Sequence, residues 1–352
     1  MNLNNAVILV TGGCGFIGSN FIRHLLQIYP KSKIYNFDYG PYGHYAASGC
    51  NLDDVSGILH SYYHNSISSN ALGFAIDGLK RKYPKKDFVV FHFAAESHVT
   101  RSEKNSAKFY ETNFLGTQNI VNALLHTQKT YGSQNHLIHV STDEIYGPAK
   151  NDVFFKEEDR KPGKEMATSH YAISKAMADD FVFKKSKTAD IRTIIVRPTN
   201  NFGSWQFPEK YLPRSITKLL RGEKIDIWGD GHQVRDWLFV EDTCRAICLV
   251  TEKGQAGEVY NIGANHDPEI SNAEMARKVL KLMNFSESRL RFKFPDPRPN
   301  HDERYAVNTA KIKELGWMPG NFDEQLLSTI TWYQENQEWW RPLILEAERI
   351  YK

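Results

Sequence analysis

A β-rich run at residues 6–11 empties into Gly12, Gly15 and Gly18, and a helical pattern through Phe21, Ile22, Leu25 and Leu26 follows at once. Strand, glycine turn and helix in that order constrain the chain more than any other stretch, because they describe the first crossover of a parallel α/β sheet. Glycines let backbone N–H groups approach a pyrophosphate, and a helix N-terminus favours its negative charge. Alone, the spacing Gly-x-x-Gly-x-x-Gly also describes a plain turn. The next strand, 33–37, ends in Asp38, 20 residues past Gly18. A carboxylate there accepts from adenosine ribose hydroxyls and repels a 2′-phosphate, which favours NAD over NADP. A turn former ahead of Tyr39, Gly40 and Pro41 is the plain alternative for Asp38.

Later strands deliver polar residues to the edge where an open sheet binds ligands, beyond the carboxyl ends of its strands. Residues 88–93 read as a buried strand ending in Ala94, Ala95, Glu96, Ser97 and His98. The two alanines leave space beside a cofactor, while His98 alone reads better as a hydrogen-bonded loop residue. Residues 107–131 form a long helical stretch whose early Thr112 and Asn113 are poor helix formers, which suits a role facing the cofactor. Residues 137–140, an apolar strand, empty into Ser141, Thr142, Asp143 and Glu144. Two adjacent carboxylates there are costly unless they hydrogen-bond, titrate or react. Tyr171 and Lys175 then stand four residues apart on one face of a helix. The strand 191–196 brings Arg197, Asn200 and Asn201 to the same edge.

Residues 39–70 parse poorly, apart from a short strand near 61–64. From Gly203 the pattern changes, with Trp205, Phe207, Pro208 and Pro213 ahead of a helix to Leu220. Residues 236–250 look like a return to the first lobe and 260–263 like a further strand end. The expected class is α/β: a Rossmann-type doubly wound parallel sheet with a smaller C-terminal α/β substrate-binding lobe. Residues 1–202 form the NAD-binding domain, with 236–265 returning to it, and 203–235 and 266–340 form the lobe. Trp332, Trp339 and Trp340 read as packing residues, because no basic stripe accompanies them.

Bulk properties exclude several classes. A net charge of +3 over 352 residues argues against a nucleic-acid surface. No apolar run reaches the ~18 residues of a membrane span. The first strand starts too early for a signal peptide. Cys14, Cys50, Cys244 and Cys248 lack framework spacing, so buried thiols and a reducing, cytoplasmic compartment are expected. Cys244 and Cys248 lie four apart with no partner to complete a site, and no metal is expected.

The motifs GGCGFIGS at 12–19, HFAAESHV at 92–99, STDEIYG at 141–147, YAISK at 171–175, NNFGSWQFPEK at 200–210, RDWLFVED at 235–242, YNIG at 260–263 and RPNHDERY at 298–305 follow in order. Together they resemble the extended short-chain dehydrogenase/reductase family and, through Thr142-Asp143-Glu144, its nucleotide-sugar 4,6-dehydratases. The resemblance implies that Gly12, Gly15, Phe16, Ile17, Gly18 and Asp38 hold NAD, with Ile67, Ala94, Ala95, Thr112, Tyr171, Lys175 and Asn201. It implies Thr142, Asp143, Glu144, Tyr171 and Lys175 as the catalytic set. Ser97, Thr142 and Asn200 would touch the sugar or its phosphates, and Lys210, Arg235, Arg298 and His301 would hold the nucleoside diphosphate. For Arg235 an ion pair with Asp236 or a neighbour is the plain alternative. A homodimer through helices near 107–131 and 171–185 is implied as well. Thr100, His170, Ser66, Phe202 and Ser204 depart from the family pattern and touch adenine contacts and substrate choice rather than catalytic groups.

The chemistry explains the residue set. The sugar C5 proton becomes acidic only once C4 is a ketone, so a reaction with no net redox change still needs NAD⁺. Tyr171 would act as base at the C4 hydroxyl, its phenolate favoured by Lys175 and the cationic nicotinamide, with Thr142 steadying the oxygen. Glu144, ionised, would take the C5 proton and Asp143, protonated, would donate to the leaving C6 hydroxyl. A 4-epimerase needs Tyr171 and Lys175 but no such pair, and a silent NAD-binding scaffold needs neither.

Overall fold

The computed structural model describes residues 1–39, 51–132, 134–150, 152–161, 167–188, 191–296, 302–349 and 351. Seven strands, β1 (Val7–Thr11), β2 (Lys33–Asp38), β3 (Ser61–His64), β4 (Phe88–His92), β5 (Asn135–Val140), β6 (Arg192–Pro198) and β7 (Val259–Ile262), pair in parallel in the order β7-β6-β5-β4-β1-β2-β3. Helices α1 (Phe16–Ile28), α2 (Ala71–Lys82), α3 (Gly116–Tyr131), α4 (His170–Thr188) and α5 (Val240–Lys253) cover both faces. The central strands β1 and β4 are buried on both faces and almost wholly apolar, as strands covered by helices on each side must be. Ile8 and Val10 point to one core with Phe21 and Ile22 of α1 and Ile247 of α5. Val7 and Leu9 point to the other, with Ile76 of α2, Ile120 of α3 and Val182 of α4. Strand order reverses between β1 and β4, which opens the crevice where such sheets bind ligands.

A third core gathers Phe202, Leu212, Ile227, Trp237, Met275, Ile330 and Trp340. Its helices are Tyr211–Leu220, Asn272–Leu282 and Phe322–Glu335. The middle one starts at Ser271 because a capping box with Glu274 satisfies both end donors. Small pairings complete it: Ile225–Trp228 with Leu290–Lys293, and Val234–Arg235 with Ile270–Ser271. Trp205, Trp332 and Trp339 pack ring against ring with centroids 5.0–5.5 Å apart. Trp340 is fully buried, and its indole N–H donates to the Tyr333 carbonyl.

Three features depart from the sequence reading. The helix expected over 107–131 is broken: Ser106–Phe109 passes into a π-helical stretch, Tyr110–Leu115, before α3 begins. The wider turns carry Asn113 inward, where it is buried and hydrogen-bonded. Second, Ile312 and Trp317, expected in the smaller lobe, pack in the α1/α5 core, and the Trp317 indole donates to the Asp242 carbonyl. An apolar periodicity states that a face is buried, not in which core. Third, Cys244 and Cys248 are buried thiols, but Cys14 is disulfide-bonded, which the expected reducing compartment did not anticipate. Among the described residues no helix is long and apolar enough to cross a membrane.

Candidate active site

The crevice is framed by the glycine turn. Gly12 has φ +75°, and a Cβ there would lie 2.5 Å from the Ala94 nitrogen and 2.6 Å from its Cα. Only glycine allows β1 and the loop after β4 to approach this closely. Asn36 Oδ1 accepts from the Gly13 N–H (3.1 Å) and Asp38 Oδ2 from the Cys14 N–H (2.8 Å), so β2 clamps the turn. Helix α1 begins at Phe16 with Gly15 as an N-cap that has no side chain to satisfy the first N–H groups. Backbone donors at a helix start beside a glycine turn, with a carboxylate at the end of the next strand, fit a dinucleotide such as NAD. Gly12→Ala should give protein that purifies without dinucleotide and melts below the parent, which absorbance of the purified protein and a thermal scan would read. Retention of cofactor by that variant would contradict the role given to the turn.

At the end of β5, Thr142 caps a single turn, Asp143–Tyr146. Its hydroxyl accepts from the Glu144 N–H (3.3 Å) and donates to Asp143 Oδ1 (3.2 Å). The turn is pinned from below. The Tyr146 hydroxyl donates to Asn261 on β7 and accepts from Arg197, which pairs with Asp179 of α4 through two contacts of 2.7 and 3.0 Å. Asp143 is buried and, among the described residues, its Oδ2 has no hydrogen-bond partner. Burial first, then the charges of Glu144 and Asp236, push its carboxyl up to about 8. At neutral pH it therefore keeps its proton, as a general acid must.

Tyr171 and Lys175 are buried on α4. Lys175 Nζ donates to the Val140 carbonyl (2.7 Å), and burial lowers its ammonium to about 8. The expected easing of phenolate formation is not present in the protein alone. Tyr171 is raised well above the ordinary phenol range, by burial and then by the charges of Glu144 and Asp143, with only the Thr142 hydroxyl acting the other way. Asn113 joins this helix to the β4 loop. Its amide accepts from the Glu96 N–H (2.8 Å) and donates to the Glu96 carbonyl (3.0 Å) and Ser174 Oγ (2.8 Å).

One cavity of about 220 Å³ opens against the turn and is lined by Ser97, Glu144, Asn200, Asn201, Lys210 and Arg235 among others. Lys210 Nζ donates to the Ser97 carbonyl (3.0 Å). Arg235 donates to the carbonyls of Val234, Asp302 and Glu303 and lies 4.6 Å over the Tyr305 ring, contacts other than the ion pair with Asp236 or a neighbour that was the plain alternative. Asn200 Oδ1 and the Trp237 indole nitrogen are buried without partners among the described residues, so both remain available to a ligand. Asn201 is committed to Thr243 and Thr199. Ile67 packs against Gly116 in the core, and its carbonyl accepts from Asn119. Phe16, Ile17, Ala95 and Thr112 are half-buried beside the crevice elements. Arg298 and His301 lie outside the described residues. Sequence reasoning missed Asn36, which clamps the glycine turn from β2, and Trp237 and Tyr305, aromatic residues that give no local sign of lining a cavity. No cluster of three or more His, Cys, Asp or Glu among the described residues could hold a metal.

A doubly wound sheet with a dinucleotide turn at its switch point, and a buried Tyr–Lys pair facing two carboxylates, defines an enzyme of the short-chain dehydrogenase/reductase type. Residues 8–263 match the NAD dependent epimerase/dehydratase family, and the chain belongs to it. It is 34% identical over 364 residues to the dTDP-glucose 4,6-dehydratase of Neisseria meningitidis, covering 97% of each chain. It is 36% identical to the low-salt glycan biosynthesis protein Agl12 of Haloferax volcanii, covering 94% of this chain and 99% of the relative. The crystal structure of the Streptomyces venezuelae dTDP-glucose 4,6-dehydratase DesIV, with NAD and dTDP bound, superposes with a TM-score of 0.83 at 35% identity, covering 96% of this chain and 99% of the other. A Thermus thermophilus UDP-glucose 4-epimerase, at 22% identity and a TM-score of 0.78, shares the fold.

Proposed function

We propose that this chain is an NAD-dependent nucleotide-sugar 4,6-dehydratase acting on dTDP-glucose or a UDP-linked analogue, giving the 4-keto-6-deoxy sugar and water. The observation that carries the reading is the Thr142-Asp143-Glu144 turn: a buried carboxyl raised to about 8 sits beside a second carboxylate, at the strand end that faces Tyr171. The relatives named dTDP-glucose 4,6-dehydratase support it.

The glycine turn, Asp38 and Lys175 would hold NAD⁺, which supplies a hydride acceptor at C4 and a donor at C6. Tyr171 takes the C4 hydroxyl proton. A positive charge beside the ring, such as the bound nicotinamide would bring, favours its phenolate. Thr142 orients the C4 oxygen. Glu144 removes the C5 proton, and Asp143 gives its proton to the departing C6 oxygen. Lys210 and Arg235 meet the diphosphate.

Residues 1–202 with 236–265 act as the cofactor domain, and 203–235 with 266–340 as the substrate lobe, apart from Ile312 and Trp317, which pack in the α1/α5 core. Leu115 and Phe183, exposed at 48% and 42% near the two helices in question, support a homodimer. The free thiols Cys244 and Cys248 suit a cytoplasmic setting, whereas the Cys14 disulfide runs against it, and the product suits deoxysugar biosynthesis such as a rhamnose pathway.

Incubation with dTDP-glucose and UDP-glucose, followed by alkali, should develop the absorbance of a 4-keto sugar. Inversion at C4 without loss of water would favour the epimerase reading. No change with any hexose nucleotide would favour the scaffold.

A further inference from the structure

The cavity that Glu144 lines is lined as well by Arg214, Lys218, Trp228 and, from the C-terminal tail, Tyr351, on which Arg214 and Trp228 pack. On the dehydratase reading, on which this inference rests, the sugar lies at Glu144 and the diphosphate at Lys210 and Arg235. The nucleoside then falls at the far end, against the tail.

Tyr351 is held there from three sides. Its hydroxyl donates to the Glu209 carbonyl, one residue before Lys210. The Arg214 guanidinium stacks 4.1 Å over its ring. Trp228 meets it edge-on, centroids 5.7 Å apart. Below, the helix before it is tied down by Arg221–Glu348 (2.9 Å) and by Leu343 and Ala347, buried against Phe207. A wall fixed in this way sets the depth of the site. Arg214 is fixed with it: the guanidinium pairs with Asp226 (3.5 Å), which Lys218 also holds (2.7 Å). Among the described residues Arg214 Nε is buried with no hydrogen-bond partner. A one-ring base with carbonyl oxygens suits an end that combines an aromatic stop with an unused donor. A two-ring base does not, since an immovable wall rejects added bulk.

We propose that Tyr351 closes the nucleoside end of the cavity and selects a pyrimidine-dione base over a purine, by limiting depth and by holding Arg214 toward a base carbonyl. It is a specificity-determining residue contributed by the tail.

Calorimetric titration of NAD-loaded protein with dTDP, UDP and GDP tests this. The parent should bind dTDP or UDP at least about 100-fold more tightly than GDP. Tyr351→Ala should lose roughly tenfold in affinity for the preferred nucleotide and most of the discrimination against GDP. In turnover the loss should fall on KM rather than kcat. Tyr351→Phe should keep the discrimination, since the ring remains. Tyr351→Leu gives the same readout as the alanine variant should that one not fold. An alanine variant with the parent's affinities and selectivity would overturn the proposal, as would a parent that binds none of the three or does not discriminate. Failure of the dehydratase reading looks different: the binding order would hold with no 4-keto sugar formed.

Discussion

Glu144→Gln should lower turnover by about 10²–10⁴-fold, the usual worth of a positioned proton-transfer group. Glutamine fills the same space and cannot take a proton. The loss should be confined to elimination. Tyr171 and Lys175 are untouched on α4, so a single-turnover experiment with sugar nucleotide should still show reduced nicotinamide, now accumulating because the next step is blocked. That split separates a base from a structural residue, whose loss would weaken both steps. Because Glu144 helps to raise Asp143 and Tyr171, the variant should also ionise its phenol more readily. Oxidation in E144Q should therefore reach its alkaline plateau at lower pH than in the parent. Normal dehydration by this variant would remove Glu144 from the mechanism.

The second large effect concerns Asp143. Its carboxyl is raised to about 8, and as the acid it works only while protonated. The sign follows directly: kcat should hold at neutral pH and fall as pH rises through about 8. The limb belongs to the coupled Asp143–Glu144 pair rather than to one residue. Asp143→Asn should lower kcat by about 10²–10⁴-fold and remove that limb. Stability should move the other way. The folded protein keeps a proton on Asp143 that an unfolded chain releases at an ordinary carboxylate pKa. This residue's contribution to stability is therefore full below that ordinary value and is lost as pH climbs toward about 8. Asp143→Asn has no charge to bury and should melt above the parent at pH 8 and beyond. A group kept at a cost in stability for what it does is the pattern expected of an active site. A parent with a flat profile across pH 8, or a variant that melts lower there, would contradict the assignment.

Much of the fold was legible because its signals are local. Gly12 to Gly18 after an apolar strand, and the strand runs at 33–37, 88–93, 137–140 and 191–196, are short-range patterns, and the structure places strands at each. The carboxylate pair and the Tyr–Lys pair were legible for the same reason: spacing alone puts them on a turn and on one helix face. What was not legible is long-range. The π-helical stretch at Tyr110–Leu115 hides in a continuous apolar periodicity, because the inward turn of Asn113 is decided by Glu96 and Ser174 across the crevice. Ile312 and Trp317 are plainly core residues, but which core they join depends on Asp242 and its neighbours. The high phenol of Tyr171 comes first from its burial and then from Glu144, and the depth of burial is set by long-range packing that no motif announces. Tyr351 reaches the cavity only through the packing of the tail.

All of these steps depend on C4 being a ketone while Glu144 works, and on the hydrogen lost there coming back elsewhere in the same sugar. A substrate deuterated at C4 tests this most directly. The product should carry the deuterium at C6, with solvent hydrogen at C5. Product with protium at C6, or recovery of the sugar with its label scrambled at C4 and no loss of water, would contradict it.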